Sequence, residues 1–327
     1  MIKFGAICFN LVLAAGMFTQ PAAHAQIPAS LEAHETRFAA WKQDFIKRAI
    51  SRGYDETTVS SLVLPAELNT TALDRDVSQP EFTSPIWSYV DNAVNAERLN
   101  AGRRKLAELS ASFDRIERRH GVPRHYLTAI WGLESAYGHN QGSHDIIGAM
   151  ATLVYEGRRQ AFFEQQLFAV FDIIDNGSVR PEQLKGSWAG AMGMTQFIPT
   201  TFRDYAVDFD GNGNKDLWNN AEDALGSAAH YLSRHGWEFG QAVLVEVELP
   251  RNFDYLLADG RQQPLREWIA KGVRPYRSDV FTGVSGTPEA RLLVPAGHAG
   301  PKFLTFGNYG VIKRYNNSTS YALGVAS

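Results

Sequence analysis

Three stretches of the sequence carry residue types at spacings that can do chemistry. The first is Tyr126-Leu127-Thr128-Ala129-Ile130-Trp131-Gly132-Leu133-Glu134-Ser135-Ala136-Tyr137-Gly138. At helical spacing Leu127, Ile130, Trp131 and Glu134 share one stripe, apolar except for the carboxylate. A carboxylate on an apolar face loses hydration, which raises its pKa. A proton donor working near neutral pH needs such a group. The position equally suits a structural Glu satisfied by an Arg or by backbone N–H groups.

The second is a supply of aromatic rings, 7 Trp and 12 Tyr. Many stand beside Gly or polar residues, as in Trp131-Gly132, Ser187-Trp188 and Gly236-Trp237. Aromatic faces suit the C–H faces of sugar rings, and Tyr and Asn tips suit hydroxyls; the same rings also serve as ordinary core. The third is Asp208-Phe209-Asp210-Gly211-Asn212-Gly213-Asn214-Lys215-Asp216. Oxygen-bearing residues alternate there ahead of a glycine, as in the first half of an EF-hand calcium loop. The position of the closing bidentate Glu is Asn219, with Glu222 and Asp223 nearby for a longer loop. An Asx-rich turn uses the same residues.

Other chemistries are excluded. The chain has no P-loop, no G-x-G-x-x-G opening a helix after a strand, no H-E-x-x-H and no G-x-S-x-G. The pairs His120/His125, His139/His144 and His230/His235 are spaced by five. That is about 140° of helical rotation, so the two rings of a pair do not share a face to bind a metal.

The elements that must position these residues are mostly helical. Residues 30–64 show helical spacing, with an apolar stripe at Phe38, Trp41, Phe45, Ile46 and Ala49. Residues 65–86, with Pro65, Pro80 and Pro85, read as a linking loop. Residues 87–119 return to a helical pattern, with Arg103, Arg104, Lys105, Arg115, Arg118 and Arg119 on solvated faces. A helix over 123–138 starts at Pro123, another over 158–176 closes at Asn176-Gly177, and a third runs from about 221 to 235 and ends at Gly236. A Gly-rich stretch at 186–193 leads to a short helix at Ile198-Pro199-Thr200-Thr201-Phe202. Residues 243–249, 291–294 and 302–306 read as strands. The fold class is therefore α+β, mainly α, with a small β part near the C-terminus.

Of the 327 residues, 44% are hydrophobic and 20% charged, which marks a folded chain rather than a disordered one. The net charge of −3 excludes the basic field of a nucleic-acid binder. The single cysteine, Cys8, excludes an intramolecular disulfide framework. Residues 1–25 read as a secretory signal. Lys3 precedes the apolar run 9–18, and Ala23-His24-Ala25 sets cleavage before Gln26. Cleavage leaves 31 basic against 35 acidic residues, a net charge of −4, and no cysteine. Nothing beyond this signal is long and apolar enough to span a membrane. The expected location is the periplasm.

Four blocks in order resemble the lytic murein transglycosylases of the MltB type, glycoside hydrolase family 103. They are Gly132-Leu133-Glu134-Ser135, then Ala149-Met150-Ala151-Thr152-Leu153, then Gly190-Ala191-Met192-Gly193-Met194-Thr195-Gln196-Phe197-Ile198-Pro199, and finally Gly307-Asn308-Tyr309 through Arg314-Tyr315-Asn316-Asn317-Ser318 to Tyr321. The resemblance implies a lysozyme-like catalytic core over 120–240 with an additional helical subdomain over 26–119. Residues 241–327, with the strands, would complete the active-site groove. It implies cleavage of the β-1,4 bond between N-acetylmuramic acid and N-acetylglucosamine without water, giving 1,6-anhydromuramyl ends: a carbon–oxygen lyase in cell-wall turnover.

In the family one Glu acts as acid and then as base, and Glu134 occupies that position. The substrate-binding positions fall on Tyr89, Arg158, Arg159, Gln196, Phe197, Tyr231, Tyr315, Asn316 and Tyr321. The family often has Tyr where this chain has Phe162, which removes one hydroxyl from the groove. The implied calcium ligands are Asp208, Asp210, Asn212, the Asn214 carbonyl and Asp223, for a structural Ca2+ with no cofactor in catalysis. Expected partners are peptidoglycan glycan strands and other cell-wall enzymes. A hydrolytic muramidase on the same core and a non-catalytic peptidoglycan-binding protein are the alternatives. Asp145 and Glu156 are the candidates for the second carboxylate that a hydrolase uses.

Overall fold

The structure, a computed structural model, describes residues 31–78, 85–258, 260–277, 281, 284 and 286–327. The expected signal segment lies outside the described residues. The chain forms two compact units, each assembled from two chain stretches. Among the described residues these are 31–78 with 134–227, and 85–133 with 228–327.

The first unit is organised around the helix Ile146–Glu156. Its sequence, Ile-Ile-Gly-Ala-Met-Ala-Thr-Leu-Val-Tyr-Glu, has no polar face, and residues 146–154 are all buried. A helix that is apolar all round must sit inside a core. Leu31–Ser51, Glu56–Val63, Thr70–Ser78 and Gln160–Asp175 all pack against it. Asp145 caps its start by accepting the Gly148 N–H at 2.7 Å, and Gly157 ends it in a left-handed conformation (φ 92°). The stripe on the first helix is buried at Phe38, Phe45, Ile46 and Ala49. Phe45 stacks on Phe168, and Tyr54 stacks on the same ring.

The residues 65–86 are not simply a linker. They contain the helix Thr70–Ser78, whose short amphipathic turn is anchored by Asn69: its Oδ1 accepts the Ala72 N–H at 3.0 Å. The proline spacing signals a loop, but tertiary packing against Ile146–Glu156 selects a helix.

The second unit holds the helices Ile86–Ala93, Ala96–Glu108 and Ser110–His120. The helical pattern expected at 87–119 is realised as these three helices, the second started by Asn95 accepting the Arg98 N–H. The expected strands are present as Leu244–Glu248, Glu289–Leu293 and Lys302–Thr305. With two-residue edges at Gln263–Pro264 and Arg274–Pro275 they form a five-stranded antiparallel sheet. Leu292 pairs with Leu304, and Val247 with Lys302. Alternation buries Ala290 and Leu292 on one face, together with Val247, Phe253, Leu265, Trp268, Val273, Leu304 and Phe306. Two helices unforeseen at the C-terminus, Gly307–Tyr315 and Thr319–Ala326, follow the sheet. The latter packs on Ile86–Ala93, where Gly324 brings the backbone close to Ala93 and Tyr89. The α+β class with helices dominant is observed: fourteen α-helices and the small sheet among the described residues.

Candidate active site

The helix Arg124–Ser135 carries Leu127, Ile130, Trp131 and Glu134 on its buried stripe. Leu127 and Ile130 are fully buried and Glu134 is 8% exposed. The helix is started by Glu117, which accepts the Arg124 N–H at 2.6 Å. It stops after Ser135 because Ala136 and Tyr137 adopt left-handed backbone (φ 49° and 60°), followed by Gly138 (φ 89°). Left-handed non-glycine residues are strained and concentrate at functional sites. The third such residue among the described ones is Gln196 (φ 51°).

These strained segments are tied together within the first unit. Ser135 Oγ donates to the Met194 carbonyl at 2.6 Å and accepts the Gly138 N–H at 3.0 Å. Met192 and Phe197 exchange two backbone hydrogen bonds, closing a tight loop that presents Gln196. Gln196 is 6% exposed, and its Nε2 donates to the carbonyls of Gly193 (2.8 Å) and Gln141 (3.2 Å). Glycine is required at 193: φ is 70°, and a Cβ there would stand 2.6 Å from the Leu217 carbonyl oxygen. Phe197 is buried, and the helix Pro199–Tyr205 follows. Gln166 supports that helix start by accepting from the Thr200 N–H and hydroxyl, each at 3.0 Å.

Arg158 and Arg159 converge on one carboxylate. Asp76, on the helix Thr70–Ser78 and fully buried, pairs with both guanidinium groups. Sequence reading missed Asp76, because nothing in the local pattern of 70–78 marks it; the partner stands 82 positions away. Asp145 is occupied as the cap described above and lies 3.9 Å from Lys185. Glu156 accepts the Arg158 N–H at 2.9 Å. Phe162 lies edge-on to Phe163.

The acidic loop also belongs to the first unit. Ligand oxygens of Asp208, Asp210 and Asp223 all lie within 4.8 Å of one another. Asp208 gathers the N–H groups of Gly211, Asn212 and Gly213. Asp223 is fully buried and accepts the Phe209 and Asp216 N–H groups. Burial, with Asp210 adding repulsion, pushes its carboxyl up. Asn212 Oδ1 accepts the Asn214 N–H. Asn219 turns its amide onto Asp216. Converging carboxylates with a buried member fit a hard divalent cation bound by oxygen.

The remaining expected residues lie in the second unit. Tyr231 donates to the Arg314 carbonyl at 2.8 Å and meets Tyr315 edge-on at 5.2 Å. Asn316 closes the helix Gly307–Tyr315, and its Oδ1 accepts the Ser318 N–H. Ser318 in turn caps the helix that carries Tyr321, which is 2% exposed. Tyr89 lies against Gly324. His120 faces His230, a member of another of the spaced pairs, with ring centres 5.7 Å apart.

The helix-dominated α+β chain, with a buried glutamate at a strained helix end, agrees with the lysozyme-like class that the sequence blocks imply. The chain matches the family model described as Transglycosylase SLT domain over residues 37–327, and it belongs to that family. It is 28% identical over 300 residues to membrane-bound lytic murein transglycosylase B of Escherichia coli (strain K12), covering 86% of this chain and 80% of that one. Among solved structures it resembles SltB3 from Pseudomonas aeruginosa in complex with NAG-NAM-pentapeptide. That match has 42% identity and a TM-score of 0.84, over 88% of this chain and 78% of that chain. It also resembles the Escherichia coli lytic transglycosylase Slt35 in complex with calcium. There the identity is 28% and the TM-score 0.75, over 88% and 90% of the two chains. No helix among the described residues is long and apolar enough to cross a membrane.

Proposed function

We propose that this chain is a peptidoglycan lytic transglycosylase, cleaving the MurNAc-β-1,4-GlcNAc bond to leave 1,6-anhydromuramyl ends. Membership of the transglycosylase family over residues 37–327 is the observation that carries this reading. Glu134 is the proposed acid and base. Protonated, it donates to the glycosidic oxygen while C1 gains oxocarbenium character. The carboxylate then removes the proton from the sugar's own C6 hydroxyl, whose oxygen bonds to C1. No water is consumed, and an intramolecular nucleophile held at C1 outcompetes solvent.

The single-carboxylate scheme is favoured over a two-carboxylate hydrolase because Asp145 caps a helix and Glu156 accepts a local backbone N–H. Gln196, Phe197, Arg158, Arg159, Tyr89, Tyr231, Tyr315, Asn316 and Tyr321 are proposed to bind the glycan strand and its peptide. The enzyme would work in the periplasm after loss of residues 1–25.

The test is digestion of purified sacculi with mass analysis of the muropeptides. The expected products carry anhydro ends. Products heavier by one water would assign a muramidase, and no cleavage at all a binding protein. Asp208, Asp210, Asn212, the Asn214 carbonyl and Asp223 are proposed to hold a structural Ca2+, which would neutralise their converging charges. A chelator is expected to lower Tm by several degrees, since a ligand that binds only the native state stabilises it; an unchanged Tm would leave a plain Asx turn.

A further inference from the structure

Two strained segments flank the proposed chemistry, the left-handed turn 136–138 directly after Glu134 and the left-handed Gln196. One residue touches both. Gln141 Nε2 donates to the Gly138 carbonyl at 3.0 Å and to the Trp218 carbonyl at 2.9 Å. Its backbone carbonyl accepts Gln196 Nε2 at 3.2 Å. Two carbonyls facing the same amide atom require it to be the nitrogen, so the orientation is fixed by its partners.

Both anchors of Gln141 are themselves held. A Cβ on the next residue, Gly142, would stand 2.2 Å from the Gly186 carbonyl carbon, so the backbone is pressed onto the two-residue strand Lys185–Gly186. Trp218 belongs to the segment that closes the acidic loop. Its N–H is accepted by Asp216 at 2.9 Å, and the Asp216 N–H by Asp223 at 2.9 Å. The intervening Leu217 carbonyl receives the Met194 N–H at 2.7 Å, and the Met194 carbonyl receives Ser135 Oγ. The turn after Glu134 and the closing segment of the acidic loop therefore meet at the Gln141 carboxamide, and the Gln196 side chain at its backbone carbonyl.

We infer that Gln141 is a positioning residue for the reaction, holding the turn after Glu134 and the side chain of Gln196 in register with residues 216–218. The inference rests on the reading of Glu134 and Gln196 as site residues. Gln141 acts through them and touches no reacting atom. Removing its two donor bonds leaves the Gly138 and Trp218 carbonyls unmatched and lets the strained turn relax. Misplacement of this kind lowers turnover more than binding.

The test compares the wild-type chain with Gln141→Met and Gln141→Glu on purified glycan strands, counting anhydro ends. Gln141→Met keeps the length of the side chain and is expected to lower kcat about tenfold or more, with KM changed by no more than about twofold. Hydrogen exchange should quicken at 136–141 and 193–197 and not in the five-stranded sheet. Gln141→Glu points a carboxylate at two carbonyls at neutral pH. Once protonated, its carboxyl can donate to one of them, so its activity relative to wild type should rise as pH falls. A Gln141→Met variant with unchanged kcat, a loss confined to KM, or a Gln141→Glu ratio flat with pH would overturn the inference. If the wild-type chain turns over no glycan, the functional reading fails and the inference with it. An active wild type beside an unimpaired variant overturns the inference alone.

Discussion

The segment from Glu134 to Asp223 adds buried polar groups to its apolar core, whereas the cluster at the five-stranded sheet is apolar throughout. The sheet encloses Val247, Phe253, Leu265, Trp268, Leu292, Leu304 and Phe306, with Trp268 Nε1 donating to the Ala290 carbonyl at 3.0 Å. Its stability comes from hydrocarbon removed from water and does not depend on any one angle. Around the apolar helix Ile146–Glu156, the Glu134–Asp223 segment also buries Glu134, Ser135, Thr195, Gln196 and Asp223. There Ser135 and Gln196 meet partners at set distances, and three non-glycine residues of the segment take left-handed backbone. Shape is over-determined where chemistry is proposed, and interchangeable where the chain only has to hold together.

Four substitutions or conditions break or sharpen that contrast. Glu134→Gln removes the proton donor and should cut anhydro-end formation by roughly 10²–10⁴-fold, the usual span for acid–base groups. Its Tm should not fall, since the amide is isosteric and places no charge in the buried site; activity equal to wild type would refute the assignment. Trp268→Ala should cost about 3–5 kcal/mol in denaturant unfolding, while kcat on the folded fraction stays close to wild type. Gly193→Ala should cost about 1–3 kcal/mol and also lower kcat, because relief of the clash with Leu217 moves Gln196. A loss of stability with intact kcat would show that the loop tolerates the shift.

The smallest effect concerns His120. Burial first, then His230 and Arg119, push its pKa down from 6.5 to about 4. The unfolded chain therefore binds a proton in that window that the native chain does not. Stability is full above pH 6.5 and declines as pH falls toward 4. Tm followed from neutral pH to about pH 4.5 should fall less steeply in His120→Asn than in wild type. Parallel curves would remove His120 as the cause.

Periodicity was legible where a residue's two faces see different solvents. The stripes at Phe38–Ala49 and Leu127–Glu134, the three longer strands, and the glycine stops at 177 and 236 all follow from local pattern. The helix Ile146–Glu156 was not legible as a helix, because an element buried on every side shows no period. The helix Thr70–Ser78 hid behind proline spacing, and Asp76 within it has no local signature.

The sequence by itself determined the class of chemistry: one carboxylate on an apolar helical face, and an alternating acidic loop, in an order that resembles one enzyme family. It did so because these are properties of spacing along a single element. Tertiary structure alone decided that Asp76 gathers two arginines and that Gln141 joins the Glu134 turn to Gln196. Those contacts link residues far apart in the chain. Their geometry is set by how the elements pack, which no periodicity within one element records.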